Sequence, residues 1–151
     1  GEYNTYLQYY NRILSLVPKK YLTLVNSYIN KPHKTCLNHG DVAPNHIYVD
    51  QNGEYIALID WDDVISAPNY FDLSELLDNL NNNENYWKHF MKGYSKQGEY
   101  VDCHNKDLLV AELLQATESY YWFLTDKRGD KKLAHTEKTT IKNIERLIDS
   151  I

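Results

Sequence analysis

The strongest constraint on the fold lies in the middle of the chain, where LNHGDVAPNHIYVD (37–50) is followed by QNGEY (51–55) and then IALIDWDD (56–63). An Asn-Gly pair between apolar strand-like runs is the strongest short-range hairpin signal, because a two-residue type I′ turn needs positive φ at both central positions. Placing Asn52 and Gly53 there predicts that 49 faces 56, 47 faces 58 and 45 faces 60. Ile47, Val49, Ile56 and Leu58 then share one face, as a half-buried ladder requires, whereas a slip of one residue would move them to opposite faces. Opposed residues in such a ladder lie about 4.5–5.5 Å apart at Cα. Asp60 is therefore expected beside Asn45 and His46, just after the loop that carries His39 and Asp41.

The flanks read as helix. From Tyr3 to Asn30 the apolar residues recur at helical spacing, with Pro18 opening a second segment, so two helices meeting at a bend are expected. Pro32 ends that run, since it lacks an N–H and pushes Lys31 toward extended conformations. From about Tyr70 onward the period is helical again, broken at Asn81-Asn82-Asn83 and across Lys127 to Lys132, which holds Gly129. The expected fold class is mainly α with a small β-hairpin, in one domain spanning 1–151: helical over 1–31, a functional loop and hairpin over 36–63, and helical over 70–151.

Bulk properties exclude several classes. A formal net charge of -5 gives little support to nucleic-acid binding and points to a cationic partner instead. No apolar run of membrane-spanning length occurs. Cys36 and Cys103 lie far apart without CxxC spacing, so both are expected to be buried free thiols in a cytoplasmic protein.

Two carboxylates, an imidazole and an amide at the open end of one hairpin suit a divalent cation held beside a proton acceptor. Any one Asp next to a Gly is ordinary turn chemistry; the convergence is what carries meaning. Phosphoryl transfer to a hydroxyl needs this pair of functions, a metal to neutralise phosphates and a carboxylate to orient the hydroxyl and take its proton.

His39-Gly40-Asp41 and Ile59-Asp60-Trp61-Asp62-Asp63 resemble the HGD loop and IDFGD segment of the aminoglycoside phosphotransferases, relatives of the protein kinases, and SAPNYFDLSELL (66–77) is similar to the stretch that opens the family's next helix. The resemblance implies a kinase-like C-terminal lobe. It also implies Asp41 as catalytic base, Asp60 as metal ligand, and supporting roles for His39, Asn45 and Asp72 around the loop. Where the family commonly has Asn as second metal ligand this chain has His46, a feature similar to the 2″-phosphotransferases, in which the residue matching Asp63 contacts a substrate amine. The implied cofactors are Mg²⁺, with Mn²⁺ as an alternative because an imidazole ligand suits Mn²⁺ or Zn²⁺ better than Mg²⁺, and ATP or GTP as donor.

A kinase of this kind covers the nucleotide with an N-terminal lobe bearing a Gly-rich loop and a strand Lys, and neither occurs here. The chain is therefore expected to lack its N-terminal ATP-binding lobe and to be inactive alone. Other readings are a kinase of another small alcohol (choline, a macrolide or a metabolite), a truncated non-catalytic binding or regulatory remnant, and a metal hydrolase using His39, His46 and Asp60. Asp78, Glu84 and Glu99 are expected on solvated faces, and the aromatic run 120–123 in the core.

Overall fold

The computed structural model describes residues 10–11, 13–125 and 131–150. The expected helix start at Tyr3 lies outside these residues, as does most of the 127–132 break. Among them the chain folds into five α-helices and two separate two-stranded antiparallel sheets.

Tyr10, Ile13 and Val17 are buried ahead of Pro18, which precedes a short 3₁₀ turn at Lys19–Tyr21 and helix α1 (Leu22–Asn30). Helix α1 stops where Pro32 requires, since Lys31 is already extended at ψ 136°. Strand β1 (Thr35–Asn38) pairs with β4 (Ile65–Pro68), Asn38 opposite Ile65 and Thr35 opposite Pro68. The expected hairpin is β2 (Ile47–Val49) against β3 (Tyr55–Leu58).

The hairpin register is as expected at Ile47↔Leu58 and Tyr48↔Ala57, and the Ile59 N–H donation to the His46 carbonyl (3.0 Å) carries it one step further. Near the turn it differs. Val49 pairs with Tyr55 rather than Ile56, and an irregularity between Tyr48 and Val49 absorbs the shift. Gly53 donates its N–H to the Asp50 carbonyl, and Gly53 has φ 82° while Asn52 is not in the positive-φ region. The turn is thus a three-residue loop closing on a left-handed glycine instead of a type I′ turn. Asp50 causes this: its carboxylate accepts the N–H groups of Asn52 and Glu54, both at 2.8 Å, and draws the turn one residue toward the N-terminus. The half-buried face also fails. Ile47, Val49 and Ile56 are all exposed, although Ile47 and Leu58 do share a face and border an apolar groove of about 490 Å³ against α2 and α3.

Helices α2 (Tyr70–Asn79), α3 (Glu84–Tyr94), α4 (Lys106–Thr125) and α5 (Lys131–Asp149) complete the fold. The Asn81-Asn82-Asn83 break has a clear physical basis. Asn81 and Asn82 take positive φ (54° and 53°), which Asn tolerates better than most residues, and the Asn83 side chain caps α3 by accepting from the Asn85 and Tyr86 N–H groups. Helix α4 is the centre of the core, packed on α5, α2 and α1; it is buried continuously from Leu108 to Leu114, which explains why it has no polar stripe. No described helix is long and apolar enough to cross a membrane. Cys103 is buried and Cys36 exposed, against the expectation of two buried thiols, because β1 belongs to a two-stranded sheet that leaves its first three residues exposed. Both are free.

Candidate active site

The site is built on the loop between β1 and β2. Asp72, in the first turn of α2, accepts the N–H groups of His39 (2.7 Å) and Gly40 (3.0 Å). Its own N–H donates to the Asn38 side chain at 3.3 Å, so loop and helix N-terminus are tied in both directions. His39 is 2 % exposed and satisfied at both ring nitrogens: Nε2 donates to the Ile59 carbonyl (2.7 Å) and Nδ1 accepts the Asp41 N–H (3.3 Å). One buried imidazole therefore joins the Asp41 loop to the residue preceding Asp60. The indole of Trp61 packs on it, ring centroids 4.7 Å apart.

Gly40 is required twice over. Its φ is +87°, and a Cβ there would stand 1.9 Å from the Asp63 carbonyl oxygen. The close approach brings the segment after Asp60 against the Asp41 loop, and only a glycine permits it.

Asp41, His46 and Asp60 each offer a ligand atom within 4.8 Å of the others. His46 Nε2 lies 3.6 Å from Asp60 Oδ2, and His46 Nδ1 lies 3.8 Å from Asp41 Oδ2. The Asp41 carbonyl, 2.8 Å from His46 Nδ1, decides the tautomer. A carbonyl can only accept, so Nδ1 carries the proton and the Nε2 lone pair faces Asp60, the arrangement in which a backbone oxygen orients a metal-ligating histidine. The residues present thus fit a cation on His46 Nε2 and Asp60. Asp60 itself takes φ 66°, an uncommon conformation that clusters at functional sites. Asn45, one residue earlier in the 3₁₀ turn Pro44–His46, is exposed.

A neighbour that sequence reasoning missed is Glu75, one turn after Asp72 on α2. Its Oε2 accepts the Val42 N–H (2.9 Å). Burial, chiefly, together with the charges of Asp41 and Asp72 and a hydrogen bond with Asp41, pushes its carboxyl up to about 7. A glutamate on a helix reads as a solvated face, and the i, i+3 spacing from Asp72 was the signal that it points at the same loop.

Asp41 opens into a cleft of about 630 Å³ whose walls include Asp62, Asp63, Glu118 and Trp122. Asp63 is thus placed at this cleft, as is Phe123. The expectation that 120–123 is core is corrected at Trp122, which is 48 % exposed because α4 runs past the core at its C-terminal end. Glu84 lies on α3 beside Lys88 and His104 and does not belong to the walls of this cleft.

No curated protein and no solved structure matches the chain. The sequence description of one family does match, over residues 7–107, which is more than half of the 151 and includes every residue from Asn38 to Glu75 discussed above. The chain belongs to the phosphotransferase enzyme family.

Proposed function

We propose that this chain is the catalytic, acceptor-binding lobe of a small-molecule kinase that moves the γ-phosphoryl group of ATP or GTP to a hydroxyl of an aminoglycoside-type polycation. The observation that carries this reading is the cleft where Asp41 meets Asp62, Asp63, Glu118 and the exposed Trp122. Carboxylates around an aromatic face suit an acceptor bearing several ammonium groups, through charge-assisted hydrogen bonds and cation–π contact.

In this reading Asp41 orients the acceptor hydroxyl and takes its proton as the oxygen attacks phosphorus. His39, Gly40 and Asp72 hold that carboxylate in place through the loop backbone. His46 Nε2 and Asp60 hold a divalent cation, Mg²⁺ or Mn²⁺. When bound, the cation supplies charge neutralisation at the donor phosphates. Asp63 receives an acceptor amine. The nucleotide is covered from the far side by an N-terminal lobe outside these residues, and the working enzyme is cytoplasmic.

The test is a coupled assay of the protein encoded by the whole reading frame, with ATP and with GTP, against a panel of aminoglycosides, macrolides and choline. Turnover with aminoglycosides, lost in Asp63→Ala through a higher KM, supports the proposal. Turnover with choline or a macrolide alone redirects it to another small alcohol, and silence across the panel with both donors overturns it.

A further inference from the structure

A second group of metal-ligating side chains stands apart from the phosphoryl-transfer site, where α3 meets the loop that leads into α4. Asn83 caps α3 and fixes Glu84 as its first residue. The buried indole of Trp87 donates to the Val101 carbonyl (2.8 Å) and pins the loop to the same helix. Asp102 Oδ1 then accepts the His104 N–H (2.8 Å), a local turn that leaves Cys103 8 % exposed and His104 at the surface.

Glu84, Cys103 and His104 each offer a ligand atom within 4.8 Å of the others. His104 Nε2 lies 3.6 Å from Glu84 Oε1, and His104 Nδ1 lies 3.5 Å from Cys103 Sγ and 3.3 Å from Asp102 Oδ1. An ion takes only one of the two ring nitrogens, and one His104 nitrogen, Cys103 Sγ and one Glu84 oxygen lie within 4.8 Å of one another. Tetrahedral zinc, with bonds of about 2.0–2.3 Å, places its ligand atoms about 3.3–3.8 Å apart, so an ion would draw these three together by about 1 Å. Lys88 pairs with the other Glu84 oxygen, Oε2, at 3.2 Å and leaves Oε1 toward the cluster. The half-exposed Glu84 and His104 give an ion a path in.

We propose that Glu84, Cys103 and His104 form a binding site for a borderline-soft divalent cation of the zinc class, with Asp102 steadying the imidazole, and that the ion staples the loop before α4 to the first turn of α3. A thiolate, an imidazole and a carboxylate select zinc over magnesium or calcium, which prefer all-oxygen shells. Three protein ligands leave the fourth position to water.

The test uses Co²⁺ as a spectroscopic stand-in, because a sulfur-to-cobalt charge-transfer band arises only at a thiolate ligand and so separates this site from the sulfur-free Asp41, His46 and Asp60 cluster. The band is expected in the wild type and in Cys36→Ser and lost in Cys103→Ser, and Zn²⁺ is expected to displace it. Exposed His104→Gln, which leaves the core untouched, should weaken Co²⁺ binding, read by that band, at least about tenfold. Zn²⁺ should raise the unfolding temperature of the wild type more than that of His104→Gln, in which only the Asp41, His46 and Asp60 cluster remains to bind it. No band, or a band that survives in Cys103→Ser or is lost only in Cys36→Ser, overturns the proposal, as does a His104→Gln band that titrates with wild-type affinity.

Discussion

Replacing Gly40 by Ala tests how the site is assembled, and Gly53→Ala provides the internal reference. Both glycines have left-handed backbones, φ +87° and +82°, yet nothing lies within 4 Å of a Cβ at Gly53 whereas one at Gly40 would meet the Asp63 carbonyl oxygen at 1.9 Å and its carbon at 2.7 Å. Forcing an L-residue into that conformation costs about 1–2 kcal/mol at either position. At Gly40 the Asp63 carbonyl must also retreat by roughly 1 Å, and inserting a methyl into packed structure adds about 1–3 kcal/mol. The expected losses are therefore about 2–5 kcal/mol for Gly40→Ala and about 1–2 kcal/mol for Gly53→Ala. For a chain of this size each kcal/mol moves the unfolding midpoint by about 2–4 °C, so paired thermal unfolding curves resolve the difference. The kinetic signature is sharper. A displacement near 1 Å between Asp63 and Asp41 should slow transfer about 10²-fold, while Gly53→Ala, in a turn remote from the cleft, should leave kcat/KM unchanged. If Gly40→Ala costs no more stability than Gly53→Ala and keeps its rate within a few-fold, the close approach is not what builds the site.

Glu112 supplies a pH signature. Its side chain is 1 % exposed, with one oxygen accepting from Asn82 and the other, Oε2, without a hydrogen-bond partner among the described residues, and burial raises its carboxyl from 4.5 to about 8. The native state therefore binds a proton that the unfolded state has lost between those values, so this group lowers stability as pH rises through that window. Glu112→Gln keeps the acceptor for Asn82, and its stability relative to wild type should improve by about 3 kcal/mol from pH 4.5 to 7 in urea unfolding; parallel pH profiles would refute this. Trp122→Ala should raise KM for a polycationic acceptor about 2–30-fold with kcat little changed, the range of a cation–π contact, and an unaltered KM would remove Trp122 from the acceptor site.

The sequence carried the central register because cross-strand pairing depends on the short separation between Asn45 and Asp60, and local signals suffice for that. It misjudged the turn because the Asn-Gly rule looks at two residues, whereas the Asp50 carboxylate outside the pair decides where the chain reverses. The β1–β4 ladder was not legible at all: four residues at Thr35–Asn38 pair with a segment nearly thirty residues away, and no turn signal links them. The loop residues Asp41, His46 and Asp60 stood out because their spacing follows from one hairpin. Glu75, Glu112 and Glu118 did not, because a carboxylate on a helix looks the same in sequence whether it faces water or a cleft; only the packing of α2 against α4 distinguishes them. Cys103 and His104, adjacent in sequence, lack the usual ligand spacing, and they meet Glu84 only through the loop that Trp87 anchors.

The role assigned to Asp41 is the centre of the account, and direct observation of phosphoryl transfer in Asp41→Asn tests it most closely. With the whole protein, γ-labelled donor and an acceptor that the wild type turns over, single-turnover transfer to the acceptor hydroxyl should fall about 10²–10⁴-fold, the share of a positioned general base. Acceptor affinity and unfolding temperature should stay near wild type, since the Asp41 carboxylate is half exposed and the loop is held through its backbone. Transfer by Asp41→Asn within tenfold of wild type would contradict the account.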